Sequence, residues 1–288
     1  MRVSPTGDSD AARRRMESSV PRYDRDLLLS GVKRNAVLEL AEVQRYGVDS
    51  YGDPDYVSVY GLRPGDWHAK GVRLLGRTVV ECTRDSLGDA IGRDVARVAA
   101  GAVSTTAAPV IVDPFVGSAN TLYWLLHHVP RARGLGFELD DDVFRLSRQN
   151  MTVLGLPIDI RNTGFEPGLA NLALAPDQLL IAFIAPPWGE ALGRTHGLDL
   201  RRTTPPVPQI VDILCRGFAR NRLLCAVQVH ESVDPDSLDE LKARLDWSAL
   251  RIYDLTVPGE NHGILLGTKG WTPAQRLVEG TMLAGDTR

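Results

Sequence analysis

The sequence predicts an α/β fold: a mostly parallel, doubly wound sheet with helices on both faces, an antiparallel last strand, and a small helical and irregular extension before it. Three observations predict it. Apolar, β-branched runs alternate with helical stretches from Val110 onward. The first of these runs, Val110-Ile111-Val112-Asp113, opens into the glycine-bearing turn Pro114 to Ser118, the place where such sheets hold ligands. The last two runs are separated only by Pro258 to His262, too short for a helix, so they pair as a hairpin at the sheet edge.

In chain order, Met1 to about Arg22 is polar and aperiodic, rich in Ser, Asp and Arg, and is expected to be a disordered tail over residues 1–22. Residues 23–76 form an N-terminal helical or lid extension. Leu27 to Arg45 carries Leu28, Val32, Ala36, Leu40 and Val43 near helical spacing, so one amphipathic helix is expected there, broken at Gly47. Tyr51 to Trp67 is punctuated by Gly52, Pro54, Gly61, Pro64 and Gly65. Its rings Tyr51, Tyr56, Tyr60 and Trp67 either line a substrate mouth or anchor an irregular segment to the core.

The main domain is expected over 77–272, with a C-terminal tail over 273–288. Arg77 to Cys82 reads as a strand, and Ser86 with Asp89 as a capping box opening a helix to about Ala100, which leaves Thr83 to Ser86 at a strand-to-helix turn. After the small-residue linker Thr105 to Pro109 the alternation begins. Val110 to Asp113 is a strand and Asn120 to His128 a helix that starts near Ser118. Gly134 to Glu138 is a strand, followed by the helix Asp141 to Leu154 with an acidic first turn that suits the helix dipole. Pro157 to Arg161 and Leu179 to Ile184 are strands, Pro208 to Arg220 a helix, Leu223 to Val229 a strand, and Ser237 to Leu245 a helix. Leu250 to Val257 and Gly263 to Thr268 complete the sheet.

Composition narrows the function. Lys+Arg 33 against Asp+Glu 36 gives a net charge of −3, so the global field does not steer the chain toward nucleic acid or an acidic membrane. Cys82, Cys215 and Cys225 show no C-x-x-C spacing and are expected to be reduced core residues. His127, His128, His196, His230 and His262 show no ligand spacing with carboxylates, so no metal is expected; His230, ending a strand, is the one histidine expected near a cleft. No apolar run approaches membrane-spanning length and no signal peptide is present, which makes a cytoplasmic protein the expectation.

Candidate chemistry gathers at three strand ends. Pro114 stops the first strand, and Gly117 lets the backbone take a positive φ or approach a ligand while the next helix directs free N–H groups into the crevice. Glu138 ends the second strand about twenty residues beyond Gly117, the spacing at which an acid takes both ribose hydroxyls of a nucleoside. The alternative is a surface acid, as its neighbours Asp140, Asp141 and Asp142 are. The fourth strand runs into Ala185-Pro186-Pro187-Trp188-Gly189. Two prolines hold Ala185 extended and aim carbonyls into the cleft, where they can accept a hydrogen bond from an attacking amine. Trp188 offers a flat face for a planar substrate, worth about 1–3 kcal/mol for a nucleobase, unless it is a core residue behind the turn.

Together, Asp113-Pro114-Phe115-Val116-Gly117-Ser118-Ala119-Asn120-Thr121, Gly136-Phe137-Glu138-Leu139-Asp140 and Ala185-Pro186-Pro187-Trp188-Gly189 resemble the class I S-adenosylmethionine-dependent methyltransferases. The branch most resembled is that of trimethylguanosine synthase, which methylates the exocyclic N2 of an RNA cap guanine. The likeness runs from roughly Arg77 to Trp271 and includes Leu198-Asp199-Leu200-Arg201. It implies a Rossmann-like seven-stranded methyltransferase sheet with S-adenosyl-L-methionine as cofactor. By resemblance, Asp113, Gly117 and Asn120 shape the methionine end, Glu138 holds the ribose, Thr83 reaches in from the entry turn, and Phe115, Thr121 and Leu139 join the cofactor-binding set. Ala185, Pro186, Pro187 and Trp188 receive the nucleophile. Where amino-methylating relatives carry Asn, Asp or Ser, this chain has Ala185, so backbone carbonyls remain as acceptors. Where an acid is implied near the adenine, it has Asn162 and Thr163, an amide and a hydroxyl.

The leading expectation is therefore an S-adenosylmethionine-dependent methyltransferase acting on an amino nitrogen of a planar acceptor, either a guanine-like base of RNA or a small aromatic metabolite. The resemblance favours RNA; the net charge favours a small molecule, since RNA binding draws on phosphate contacts. Two alternatives stand beside it: the same cofactor with O- or C-methylation or chemistry within the cofactor, and an inactive binding or scaffold protein of the same fold.

Overall fold

A computed structural model describes residues 22–102, 107–176, 178–193, 195–254 and 262–274. The expected tails therefore lie outside the described residues except for Arg22 and residues 273–274, as do most of the Pro258 to His262 connection and Thr105 and Thr106 of the linker.

The centre of the fold is a seven-stranded sheet built from β1 (Val110–Asp113), β2 (Arg133–Glu138), β3 (Asp159–Asn162), β4 (Leu179–Ile184), β5 (Arg222–His230), β6 (Trp247–Tyr253) and β7 (His262–Lys269). Its order is β3-β2-β1-β4-β5-β7-β6. Strands β1 to β5 are parallel, whereas β7 runs antiparallel to both β5 and β6. The expected hairpin thus forms, but its second strand inserts beside β5 and leaves β6 at the edge. This is the Rossmann-like sheet with a reversed last strand that the sequence predicted. The chain leaves β1 toward β2 and β3 on one side and toward β4 and β5 on the other, so a crevice opens at the carboxyl ends of β1 and β4.

The strand sequences are continuously apolar because helices cover both faces. Val110, Ile111 and Val112 are fully buried, as is all of β4. Each such side chain contributes about 1.5–3 kcal/mol on burial. One face is covered by α5 (Asp85–Ala99), α6 (Asn120–His128), α7 (Asp141–Leu154) and the N-terminal segment, with Leu28, Trp67, Ile91 and Leu122 in one core. The other face carries α8 (Phe165–Ala170), α9 (Val207–Gly217) and α10 (Pro235–Lys242), with Leu169, Ile210, Leu214 and Leu241 in a second core. Among the described residues no helix is long and apolar enough to cross a membrane.

The N-terminal segment departs from expectation. Instead of one helix over Leu27 to Arg45, α1 (Arg25–Leu29) ends at Ser30-Gly31, and Val32 lies 90% exposed off the expected stripe. A second helix, α2 (Leu40–Tyr51), is opened by a capping box in which Glu39 N donates to Glu42 Oε2 at 2.9 Å. Gly47 sits inside α2 and does not break it. The following loop folds back so closely that a Cβ there would lie 2.2 Å from Asp53 O; glycine serves close approach, and the helix stops at Gly52 with φ +72°.

After α3 (Pro64–Ala69), the expected strand Arg77 to Cys82 is instead α4 (Gly76–Glu81). Its first N–H groups, on Gly76 and Arg77, donate to Ala36 O and Arg34 O at 3.0 Å each, and Thr78 and Val79 are buried by the helical turn. Tertiary contacts override the β-propensity of Thr78-Val79-Val80. Thr83 to Ser86 is consequently a helix-to-helix turn. The expected capping box is also absent: α5 opens at Asp85 without a side-chain cap, and Asp89 accepts from Arg93 and pairs with His128 Nε2 at 2.7 Å. Helix α6 starts at Asn120, two residues after Ser118. Cys225 is buried, whereas Cys82 and Cys215 are partly exposed; all three are free thiols.

Candidate functional site

The crevice is floored by the turn after β1. Asp113 closes the strand with its carboxylate accepting from Phe115 N at 3.0 Å, and Val116 N donates to Phe137 O at 3.0 Å, which fastens the turn to β2. Gly117 has φ +49°, and a Cβ added there would meet nothing nearer than Phe115 O at 3.9 Å, so the space above the turn is open. Ala119 is left-handed as well, at φ +64°, and caps α6. Their N–H groups are engaged within the floor, Gly117 N by Glu138 Oε2 at 3.1 Å and Ala119 N by Val116 O at 2.7 Å.

Glu138 faces this turn. Its Oε2 accepts from Gly117 N at 3.1 Å and its Oε1 from Asp140 N at 2.9 Å, while its carbonyl accepts from Thr163 N at 3.1 Å. Each carboxylate oxygen keeps a lone pair for a hydroxyl. Burial raises the Glu138 carboxyl above the ordinary glutamate value, against the opposing pull of those N–H groups. Asp113, 2% exposed, is pushed up to about 7 by burial, with the Glu138 charge adding to the effect. Among the described residues it has no cationic partner. Ser147 Oγ donates to Gly117 O at 2.6 Å and holds the turn from α7.

The remaining predicted cofactor residues distribute around that floor. Phe115 packs against Phe165 with ring centroids 5.5 Å apart, and Thr121 is buried in the first turn of α6. Leu139 is 75% exposed beside Glu138, presenting apolar surface to solvent. Asn162 is exposed at the end of β3, where its Nδ2 donates to Asp141 Oδ1 at 2.8 Å.

Asn120 is directed elsewhere. Its Oδ1 accepts from Tyr60 N at 2.6 Å, and its Nδ2 donates to Thr83 O at 2.7 Å and Asp85 Oδ1 at 3.1 Å. Tyr60 OH donates to Ser118 O, and Asp85 also accepts from Trp124 Nε1 at 2.7 Å and Gly61 N at 2.9 Å. The amide of Asn120 therefore pins the N-terminal segment over the glycine turn. Of the four aromatics in that segment, Tyr60 reaches the turn, Trp67 is fully buried in the core, and Tyr51 and Tyr56 stack on each other at 3.5 Å. At the other end of the crevice, Arg77 of α4 pairs with Asp140.

The opposite wall is the loop after β4. Pro186 is buried, Ala185 and Trp188 are half-buried, and Pro187 is exposed. Trp188 stands beside two histidines: the His262 ring at 5.1 Å, tilted by 36°, and the His230 ring at 6.0 Å, edge-on at 86°. The antiparallel register of β5 and β7 sets His230 opposite His262. Gln228 Nε2 lies 2.7 Å from His262 Nδ1, and Thr83 Oγ1 donates to Gln228 Oε1 at 3.5 Å. Burial, helped by His230, pushes His262 down to about 4. Sequence reasoning found His230 but not Gln228 or His262. The β5–β7 pairing, which no local pattern in either strand specifies, places positions 230 and 262 side by side. Among the described residues no group of three His, Cys, Asp or Glu side chains is placed to hold a metal ion.

No family model matches the sequence, and no curated protein matches it. Solved structures do resemble it in fold. A structure described as a class I S-adenosylmethionine-dependent methyltransferase from Listeria monocytogenes matches at 17% identity and TM-score 0.46, over 68% of this chain and 64% of that one. An rRNA methylase from Streptococcus thermophilus matches at 13% identity and TM-score 0.40, over 62% and 94%. The N-terminal domain of human METTL16, in complex with SAH, matches at 12% identity and TM-score 0.43, over 61% and 66%. The chain thus spans just under two thirds of the Listeria and human structures it resembles.

Proposed function

We propose that this chain is an S-adenosylmethionine-dependent methyltransferase that methylates an amino nitrogen of a planar acceptor, a guanine-like base of RNA or a small aromatic metabolite. One observation carries the reading: the Glu138 carboxylate and the open Gly117 turn, joined by a hydrogen bond at 3.1 Å, share a crevice with the proline loop ending in Trp188. The floor suits a nucleoside with a cationic tail. Glu138 takes the ribose hydroxyls, the turn has room for backbone contact at Gly117, and the buried Asp113 carboxyl, with no cationic partner among the described residues, receives positive charge. Leu139 and Asn162 flank the base.

When bound, S-adenosylmethionine supplies a sulfonium methyl that is already strongly electrophilic. The chain's own residues then orient the acceptor and exclude water. The extended backbone at Ala185 directs carbonyl acceptors to the incoming amine, Trp188 stacks on its ring, and the N-terminal segment pinned through Asn120 and Thr83 covers the crevice. The amine proton can leave to solvent after transfer, so no general base is required. Absence of a side-chain acceptor at Ala185 keeps O- or C-methylation as the second reading.

Calorimetry with S-adenosylmethionine tests the proposal. Binding is expected, abolished by Gly117→Arg and weakened about tenfold or more by Glu138→Ala. A folded protein that does not bind the cofactor would instead be a scaffold. Methyl incorporation from labelled cofactor into total RNA and into a small-metabolite pool then separates the two acceptor sources.

A further inference from the structure

Resting on that reading, we infer that His262 is a specificity-determining residue, held by Gln228 as a neutral hydrogen-bond donor. It selects planar heteroaromatic acceptors that present a ring carbonyl oxygen or ring nitrogen lone pair beside the atom to be methylated. The two residues are the central members of a chain running from Thr83 through Gln228 to His262 and the face of Trp188.

The argument begins with proton positions. Gln228 is 7% exposed, so both ends of its amide need partners. Thr83 Oγ1 donates to Oε1, which turns Nε2, a donor only, toward His262 Nδ1 at 2.7 Å. Nδ1 must therefore be the lone-pair nitrogen, and the neutral ring carries its proton on Nε2. His230 reaches the same tautomer by a separate route, its Nδ1 accepting from Ser232 N at 3.0 Å. Two imidazoles thus stand beside Trp188 with Nε2–H as their second polar group.

A proton-accepting role is opposed by the same geometry, because the Nδ1 lone pair is already engaged. It is opposed as well by the surroundings: burial, Arg84 and Arg25 disfavour the imidazolium, against the Glu231 charge that favours it. The ring stays neutral through physiological pH and donates one hydrogen bond. A planar ring stacked on Trp188 meets that donor only if it carries an acceptor at its edge. A partner lacking one leaves Nε2–H dehydrated and unpaired, which a site built for hydrogen bonding rejects more strongly than a change in ring size.

The probes are guanosine, which carries ring acceptors beside an exocyclic amine, and indole, a planar ring that carries none. Full-length protein saturated with S-adenosylhomocysteine is titrated with each, reading tryptophan fluorescence and calorimetric heat. The wild type is expected to prefer guanosine, and His262→Phe to lose about tenfold in guanosine affinity while indole affinity and cofactor affinity hold. Equal loss for both probes, no loss, or a wild type that binds neither overturns the inference, and retained cofactor binding in those cases leaves the methyltransferase reading standing. Failure of cofactor binding itself defeats that reading instead.

Gln228→Glu supplies an independent readout. A carboxylate there draws the proton to Nδ1, so Nε2 becomes an acceptor in the neutral ring and a donor only in the imidazolium. Guanosine binding by this variant is expected to be strong at low pH and to fall as pH rises through the imidazole pKa, while the wild type stays flat from pH 6 to 8. A flat profile in both proteins contradicts the tautomer assignment. A guanine-rich hexaribonucleotide, titrated alongside, distinguishes a base within RNA from a free heterocycle by binding more tightly than guanosine or no better.

Discussion

Asn120 accepts the backbone N–H of Tyr60 at 2.6 Å across sixty positions of chain, and with its other end donates to Thr83 O and Asp85. One amide, 1% exposed, thus fastens two separate loops of the N-terminal segment to the first residue of the helix that follows the glycine turn. Asn120→Ala strands a buried N–H on Tyr60 and a part-buried carbonyl on Thr83. Each orphaned group costs about 1–3 kcal/mol. Denaturant unfolding is expected to show a loss of about 2–4 kcal/mol, with weaker cofactor binding as the loops detach.

The Asp113 carboxyl gives a pH dependence with a definite sign. Its folded value of about 7 lies above the unfolded carboxylate range, so the folded state binds more protons in between. Stability is fully present below about pH 4 from this group and is lost as pH rises toward 7, a change on the order of 4 kcal/mol at most. Asp113→Asn removes the dependence and is expected to melt higher than the wild type at pH 8. A cationic ligand stabilises the charged carboxylate, so cofactor binding near pH 7 should release protons. Calorimetry in buffers of different ionisation enthalpy measures that release directly.

Trp188→Ala separates the two walls of the crevice. The acceptor KM is expected to rise by about tenfold or more, as the stacking energy of a planar ring is removed, with cofactor affinity unchanged. Equal loss of both would place Trp188 in the structural core instead.

Gly47→Ala tests the corrected reading of the N-terminal segment. The added methyl would overlap Asp53 O, 2.2 Å away, so α2 and its loop must move apart. A cost of about 1–3 kcal/mol is expected, visible as a lower Tm. An unchanged Tm would contradict the close approach at Gly47.

What could be read in advance followed from local cause. β4 and α7 have the bounds expected because six apolar residues in a row, and an acidic first turn ending at Gly155, carry their own instructions. Glu138 and Gly117 were paired by spacing alone, and they touch. The misreadings share a different cause. Thr78-Val79-Val80 prefers a strand locally and is made helical by carbonyls of Arg34 and Ala36, some forty residues upstream. The Gln228–His262 pair was invisible because it depends on β7 inserting antiparallel beside β5, a register that no local pattern in either strand specifies. The contact of the Thr83 hydroxyl with Gln228, 145 positions away, has the same non-local origin.

The reversed strand β7 also divides the molecule by chain position. Apart from Thr83, the residues proposed to bind the cofactor lie between Asp113 and Thr163, whereas Gln228, His230 and His262 come from the last third of the chain. Gln228 and His230 lie on β5 and His262 on the closing hairpin, so exchanging β6 and β7 alone alters one of the three and leaves residues 113–163 untouched. Thr83 is the coupling between the two halves, since it meets Asn120 with its carbonyl and Gln228 with its hydroxyl. In a library that exchanges β5 among related sheets, position 83 is the one that must travel with it.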